Sequence, residues 1–252
     1  MLVLQRTAQL ISCYFHSARF CPEHFIAVSR RVCSSVASDE KLSRWSYWSS
    51  RYRLASHRDT PFDWFLSGET LYPALLTHLR RLSRTHHTLR IMDAGCGNSD
   101  VPCCLYTHCV EVPIELHLVD YVSEALHTQK AWLRDRQKGH PATSVHCVEC
   151  DVTRLPYRPN TFHLVVDKGT TDALLKDPVD GVRRSHKLVS SMVDVLHPGG
   201  VFVHVTDEDP DSRHGLLEEA VRGTGSVFTF SELTAGNHEY FMFQYIKESL
   251  VQ

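Results

Sequence analysis

Five short apolar segments recur along the chain, at 89–93, 114–119, 145–150, 162–166 and 201–205, with helix-length segments between them, notably 122–137 and 179–196. Near-continuous apolar strands that alternate with helices must be covered on both faces, which requires a parallel sheet with helices on each side. Pro198-Gly199-Gly200 reads as the turn out of the last such helix. Two further apolar runs, 226–230 and 240–246, are joined by a short polar connection. That connection is too short for a helical crossover, so the pair is expected as an antiparallel hairpin. The sum is one α/β domain built on a single doubly wound, seven-stranded sheet.

Ahead of the first strand, Leu42, Trp45, Trp48, Tyr52 and Ala55 fall at helical spacing over 41–56. Thr60-Pro61 breaks that pattern, Phe62-Asp63-Trp64-Phe65 follows as an aromatic cluster, and 69–83 reads as a second helix. Residues 1–38 differ in kind: Arg6, Arg19, Arg30 and Arg31 stand among serines and apolar residues, with Glu23 the one acid. That composition fits a mitochondrial transit peptide preceding a domain over 39–252, against the alternative of a disordered extension on a cytosolic protein.

A formal net charge of −2 argues against a general nucleic-acid or membrane-surface binder, and no apolar run reaches the length of a membrane span. Nine cysteines raise the question of disulfides or zinc. Cys147-Val-Glu-Cys150 is the one C-x-x-C, it lies in a strand where positions three apart point to opposite faces, and no second pair completes a four-ligand site. The 17 histidines are scattered. Reduced thiols and no metal are expected.

The chemistry concentrates at strand ends. The first strand ends in Asp93 and breaks into Gly95-Cys96-Gly97, and the next strands end at or near Asp120, Asp151 and Asp167. In a doubly wound sheet the ligand lies beyond these carboxyl ends. A single aspartate there is commonly a turn or helix cap, whereas four on one rim suggest a site. A dinucleotide loop wants a third glycine where this chain has Asp100, and a carboxylate beside a pyrophosphate is electrostatically wrong. S-adenosylmethionine, phosphate-free and cationic, suits an acidic rim: Asp120 for the ribose hydroxyls, Asp151 for the adenine amino group with apolar neighbours such as Tyr121 and Val152 about the ring, and Asp93 with the glycine backbone for the methionyl end.

The strand pattern, with Asp93-Ala-Gly-Cys-Gly-Asn-Ser-Asp100 and Leu164-Val-Val-Asp-Lys-Gly-Thr-Thr-Asp-Ala-Leu174, resembles the Rossmann-like S-adenosylmethionine-dependent methyltransferases, and among them those that methylate protein lysines. Pro61-Phe-Asp-Trp-Phe65 and Thr206-Asp-Glu-Asp-Pro-Asp-Ser-Arg213 narrow the resemblance to the mitochondrial citrate synthase-lysine methyltransferase family, from about residue 58 onward. The resemblance implies Gly95, Gly97, Asp120 and Asp151 as cofactor contacts, Asp167 bordering both ligands, and an aromatic helix (Tyr47, Trp48, Arg51, Tyr52) that closes with Trp64 over the donor. It implies a protein partner, citrate synthase in the mitochondrial matrix, with no nucleic acid and no membrane.

A lysine amine has a reference pKa of about 10.4, so near neutral pH about one in a thousand carries a free lone pair. The enzyme must let the ammonium lose its proton and hold the amine in line with the methyl group. Asp167 and Asp207 are the candidate catalytic groups. Glu208 shares the segment of Asp207, and both either meet substrate or only precede a helix that Asp209 caps and Pro210 opens. Lys168 reads as structural. The alternatives are a cytosolic lysine methyltransferase acting on an elongation factor and a catalytically silent binding protein of the same fold.

Overall fold

The computed structural model describes residues 39–54 and 60–248. The expected transit peptide, 1–38, lies outside them, as does the end of the first expected helix.

A short 3-10 turn, Glu40–Ser43, leads into α1 (Trp45–Arg53), and α2 (Gly68–Ser83) follows. The alternating part then runs β1 (Leu89–Ala94), α3 (Val101–His108), β2 (Ile114–Asp120), α4 (Ser123–Arg134), β3 (Ser144–Glu149), β4 (Phe162–Lys168), α5 (Thr170–Leu175), α6 (Gly181–Val195), β5 (Leu196–Thr206) and α7 (Pro210–Ala220). The hairpin β6 (Phe228–Ala235) and β7 (His238–Ile246) closes the chain. The seven-stranded sheet has the order β3-β2-β1-β4-β5-β7-β6. Its first five strands are parallel, and β7 lies antiparallel between β5 and β6.

Each face of the sheet has its own apolar layer. On one, Leu71, Leu75, Leu79 and Leu82 of α2, with Val101 and Leu105 of α3, pack on Leu89, Ile91, Leu116 and Leu164. On the other, Leu188, Val189 and Met192 of α6 pack on Met92, Val165 and Phe202. The strand positions of the two sets alternate, as a pleated strand buried on both sides demands. Fully burying a side chain of this size contributes about 1.5–3 kcal/mol, which is what holds the helices to the sheet.

Three local features differ from the sequence expectation. Pro198-Gly199-Gly200 lies within β5 as an irregularity in its pairing with β4, between the Phe162–Leu196 and Leu164–Val201 partners, with Gly199 at φ +78°. The hairpin strands extend until only Gly236-Asn237 separates them, and Gly236 at φ +61° supplies the positive φ that a two-residue turn needs. The six-residue helix α5 has no counterpart in the reading of the sequence.

Candidate active site

The loop after β1 is built to be tight. Gly95 (φ +77°) and Gly97 (φ +49°) adopt left-handed conformations, and a Cβ at Gly95 would stand 2.0 Å from Thr170 Oγ1. That hydroxyl donates to the Ala94 carbonyl at 2.9 Å, so the start of α5 is interlocked with the loop. From below, the Gln129 amide donates to the carbonyls of Gly97 and Ser99 at 3.1 and 2.7 Å. Gln129 is fully buried on the apolar side of α4; a polar residue in that stripe was the available signal for its role.

A cavity of about 830 Å³, open mouth included, lies at the carboxyl ends of the strands. Asp93, Gly95, Gly97, Asp120, Tyr121, Asp151, Val152 and Trp64 all line it. Asp120 is held by two backbone donors, Gly97 N–H to Oδ2 and Val122 N–H to Oδ1, each at 2.9 Å. Burial nonetheless raises its pKa to about 6. Asp151 accepts from Thr153 N–H at 2.8 Å.

Asp93 is the distinctive group. Burial, reinforced by Asp167, Asp63 and Asp120 and opposed by Lys168, raises its pKa to about 7. Its Oδ2 is buried without a hydrogen-bond partner among the described residues. A buried acceptor left unpaired is costly, and an ammonium entering the cavity would satisfy it. This is the observation that S-adenosylmethionine fits, through its cationic amino-acid end.

Phosphate is disfavoured for a reason other than the one expected. Asp100 does not line the cavity; its carboxylate accepts from Gly68 N–H and anchors the start of α2. The loop amides are engaged internally instead: Gly95 and Cys96 donate to the Val119 carbonyl, Gly97 to Asp120, and Ser99 to the Cys96 carbonyl. A pyrophosphate would find those donors taken.

Aromatic side chains cover the cavity. Trp48 stacks on Tyr52 at 5.7 Å and meets Trp64 at the same distance, and Phe62 lies under the Arg51 guanidinium at 4.0 Å. Trp48, Tyr52, Phe62 and Trp64 line the cavity, whereas Tyr47 and Arg51 do not. The segment carrying Phe62 and Trp64 is pinned by Lys168, whose ammonium donates to Asp63 Oδ1 at 2.8 Å and to the Trp64 carbonyl at 3.0 Å. Ser99 Oγ donates to the same carboxylate. Lys168 thus holds this segment while lining the cavity, and Asp63 is a residue that sequence reasoning passed over inside an aromatic cluster.

The two expected catalytic carboxylates are both off the cavity wall. Asp167 is fully buried and accepts from Thr170 N–H, Thr171 N–H, Thr171 Oγ1 and His204 Nδ1. The imidazole and the Thr171 donors hold its pKa below the usual carboxylate value against the effect of burial. It shares the strand face of Val165, beneath α6, while Lys168, one residue on, turns to the cavity. Asp167 therefore positions α5 and through it Thr170, and has no free edge for a substrate amine. Asp207 and Glu208 are exposed just beyond β5, clear of the cavity. Asp209 caps α7 by accepting from Ser212 N–H at 3.1 Å, with Pro210 in the first turn. Cys150 lines the cavity and Cys147 is exposed on β3; both are unbridged, as are Cys96, Cys103, Cys104 and Cys109.

The model of a methyltransferase domain family matches residues 85–232. The chain is 34% identical to the mitochondrial citrate synthase-lysine N-methyltransferase of Pongo abelii over 64% of its own length and 69% of that protein's, and 32% identical to the Homo sapiens protein over the same shares. It is 28% identical to EEF1A lysine methyltransferase 4 of Bos taurus over 75% of this chain and 74% of that one. In fold it is similar to a methyltransferase of Pyrococcus furiosus, with a TM-score of 0.55 at 14% identity over 75% of this chain and 87% of that one. A SAM-dependent methyltransferase of Methanosarcina mazei gives a TM-score of 0.52 at 16% identity over 73% and 99%.

Proposed function

As the chain belongs to the S-adenosylmethionine-dependent methyltransferases, in the family of the citrate synthase-lysine N-methyltransferases, we propose that it methylates a lysine side chain of citrate synthase in the mitochondrial matrix. The observation that carries the cofactor half of this reading is the unpaired buried oxygen of Asp93, a residue that lines the acid-rich cavity. The substrate half rests on the names of the relatives and on the arginine-rich, acid-poor leader.

Bound S-adenosylmethionine supplies an electrophilic methyl group on a sulfonium. Asp93 takes the amino-acid end, Asp120 the ribose hydroxyls, and Asp151 the adenine amino group beside Tyr121 and Val152. Trp48, Tyr52, Phe62 and Trp64 exclude water from the cavity, which strengthens each of those charge interactions. Asp207 and Glu208, exposed past β5, attract a basic substrate segment, and Asp167 acts from below by fixing Thr170 against the glycine loop. Asp93, Asp120 and Asp151, the carboxylates that line the cavity among the described residues, are all taken up by the donor in this reading, so the acceptor lysine loses its proton to solvent before transfer.

Incubation of the purified chain with methyl-labelled donor and citrate synthase tests the proposal, with Asp120→Ala as control. Label on citrate synthase, lost in the variant, is the expected result. Elongation factor 1A is run in parallel, because its lysine methyltransferase is matched over a larger share of this chain. Label on that protein alone would overturn the substrate while leaving the chemistry intact.

A further inference from the structure

Away from the cavity, Glu69 in the first turn of α2 meets Cys104 and His108, which stand four residues apart on one face of α3. Cys104 Sγ lies 3.5 Å from Glu69 Oε1, His108 Nε2 lies 3.8 Å from the same oxygen, and the three ligand atoms all fall within 4.8 Å of one another. From Zn–S of about 2.3 Å and Zn–N and Zn–O of about 2.0–2.2 Å, tetrahedral coordination separates sulfur from oxygen by about 3.6 Å and oxygen from nitrogen by about 3.4 Å. The two separations measured from Glu69 Oε1, 3.5 Å to sulfur and 3.8 Å to nitrogen, are already close to those values.

We infer that Glu69, Cys104 and His108 form a binding site for a zinc-type divalent ion that bridges α2 and α3, independent of methyl transfer. A sulfur, nitrogen and oxygen set suits this borderline-soft class of cation. Carboxylate and thiolate together offset its charge. On binding, a Cys104 S–Zn bond forms, the S–H bond breaks, and one proton leaves to solvent. Burial and the carboxylates of Asp100 and Glu69 raise the free thiol's pKa, and those same charges favour a dication. The Glu69 and His108 side chains are 67% and 41% exposed, so the fourth position is open to water and an entry path exists.

The other histidine-rich convergence, His86, His163 and His197, lacks this freedom. His163 Nδ1 accepts Arg90 N–H at 2.8 Å, which puts the ring proton on Nε2.

The test is a Co²⁺ and Zn²⁺ titration of the tag-free, reduced full chain, read by the sulfur-to-cobalt charge-transfer band, by competition with a chromogenic chelator and by the shift in Tm. The expected result is one ion per chain with a thiolate band and a raised Tm. Glu69→Gln and His108→Ala should each weaken binding at least tenfold, and Cys104→Ala should abolish the band. Glu69 and His108 are exposed, so their variants should keep the metal-free Tm and show that the loss is not unfolding. A wild-type chain without the thiolate band, or variants that retain it at unchanged affinity, overturns the site.

Discussion

Lys168 and Asp63, 105 residues apart in sequence, form an ion pair at 2.8 Å with side-chain exposures of only 4% and 14%. The pair ties the aromatic segment before α2 to the end of β4. Removing one partner of a buried pair strands the other charge and costs about 3–5 kcal/mol, more than the pair itself is worth. Lys168→Ala and Asp63→Ala should each lower the unfolding free energy by about 3 kcal/mol, measured by urea denaturation. The double variant should lose much less than the sum, because neither charge is left alone. Additive losses would show that the two side chains are not coupled.

Asp93 should govern the pH dependence of cofactor binding. Its folded pKa of about 7 lies above the ordinary value, so between about pH 4 and 7 the folded chain holds a proton that the unfolded chain has released. Its contribution to stability is therefore fully present at low pH and lost as pH rises through 7. Binding of S-adenosylhomocysteine should strengthen up to about pH 7, as the carboxylate ionises. It should weaken again above about pH 8, where an α-amino group loses its charge. Calorimetric titration of Asp93→Asn should give at least tenfold weaker binding without the acid limb, and a metal-free, ligand-free Tm no lower than wild type at pH 7.5. An unchanged acid limb would assign it to another group.

Gly95→Ala should be severe. It combines a left-handed φ, costing roughly 1–2 kcal/mol for an L side chain, with a methyl driven onto Thr170 Oγ1. A fall in Tm together with loss of detectable S-adenosylhomocysteine binding is expected. Pairing it with Thr170→Gly should recover part of the Tm, since the clash is relieved and the backbone cost is not.

Asp207→Asn with Glu208→Gln separates substrate from cofactor. The double variant should raise KM for the protein substrate several-fold and flatten its dependence on ionic strength, while the Kd for S-adenosylhomocysteine stays within twofold. A change in cofactor affinity instead would place these carboxylates in the cavity's own machinery.

The sheet was readable because central parallel strands are apolar along most of their length, as β1 and β4 are, while the edge strand β3, with no fully buried residue, was legible only from its place in the alternation. The residues that line the cavity were readable too, since Asp93, Gly95, Gly97, Asp120 and Asp151 all lie at or just past the carboxyl ends of strands. What a linear reading could not supply was the direction of each side chain at a strand end. Asp167 and Lys168 are neighbours in sequence and face opposite sides of the sheet, so the acid expected at the rim is buried against the start of α5 and His204. Asp100 illustrates the same limit: its partner, Gly68 N–H, lies 32 residues away. α5 was missed because six residues after a glycine carry too little periodicity to register.

The contact between Gly95 and Thr170 also ties the loop after β1 to the segment that follows β4. With the hydroxyl filling the space a side chain would occupy, α5 cannot slide toward β1 without unseating the turn that cradles the ligand. The aromatic cover is tied to the same place: Lys168 holds the Asp63–Trp64 segment, and a Cβ at Gly169 would stand 2.9 Å from the Trp64 ring. The glycine turn and the aromatic cover therefore share one anchor, the Lys168–Thr170 segment at the end of β4.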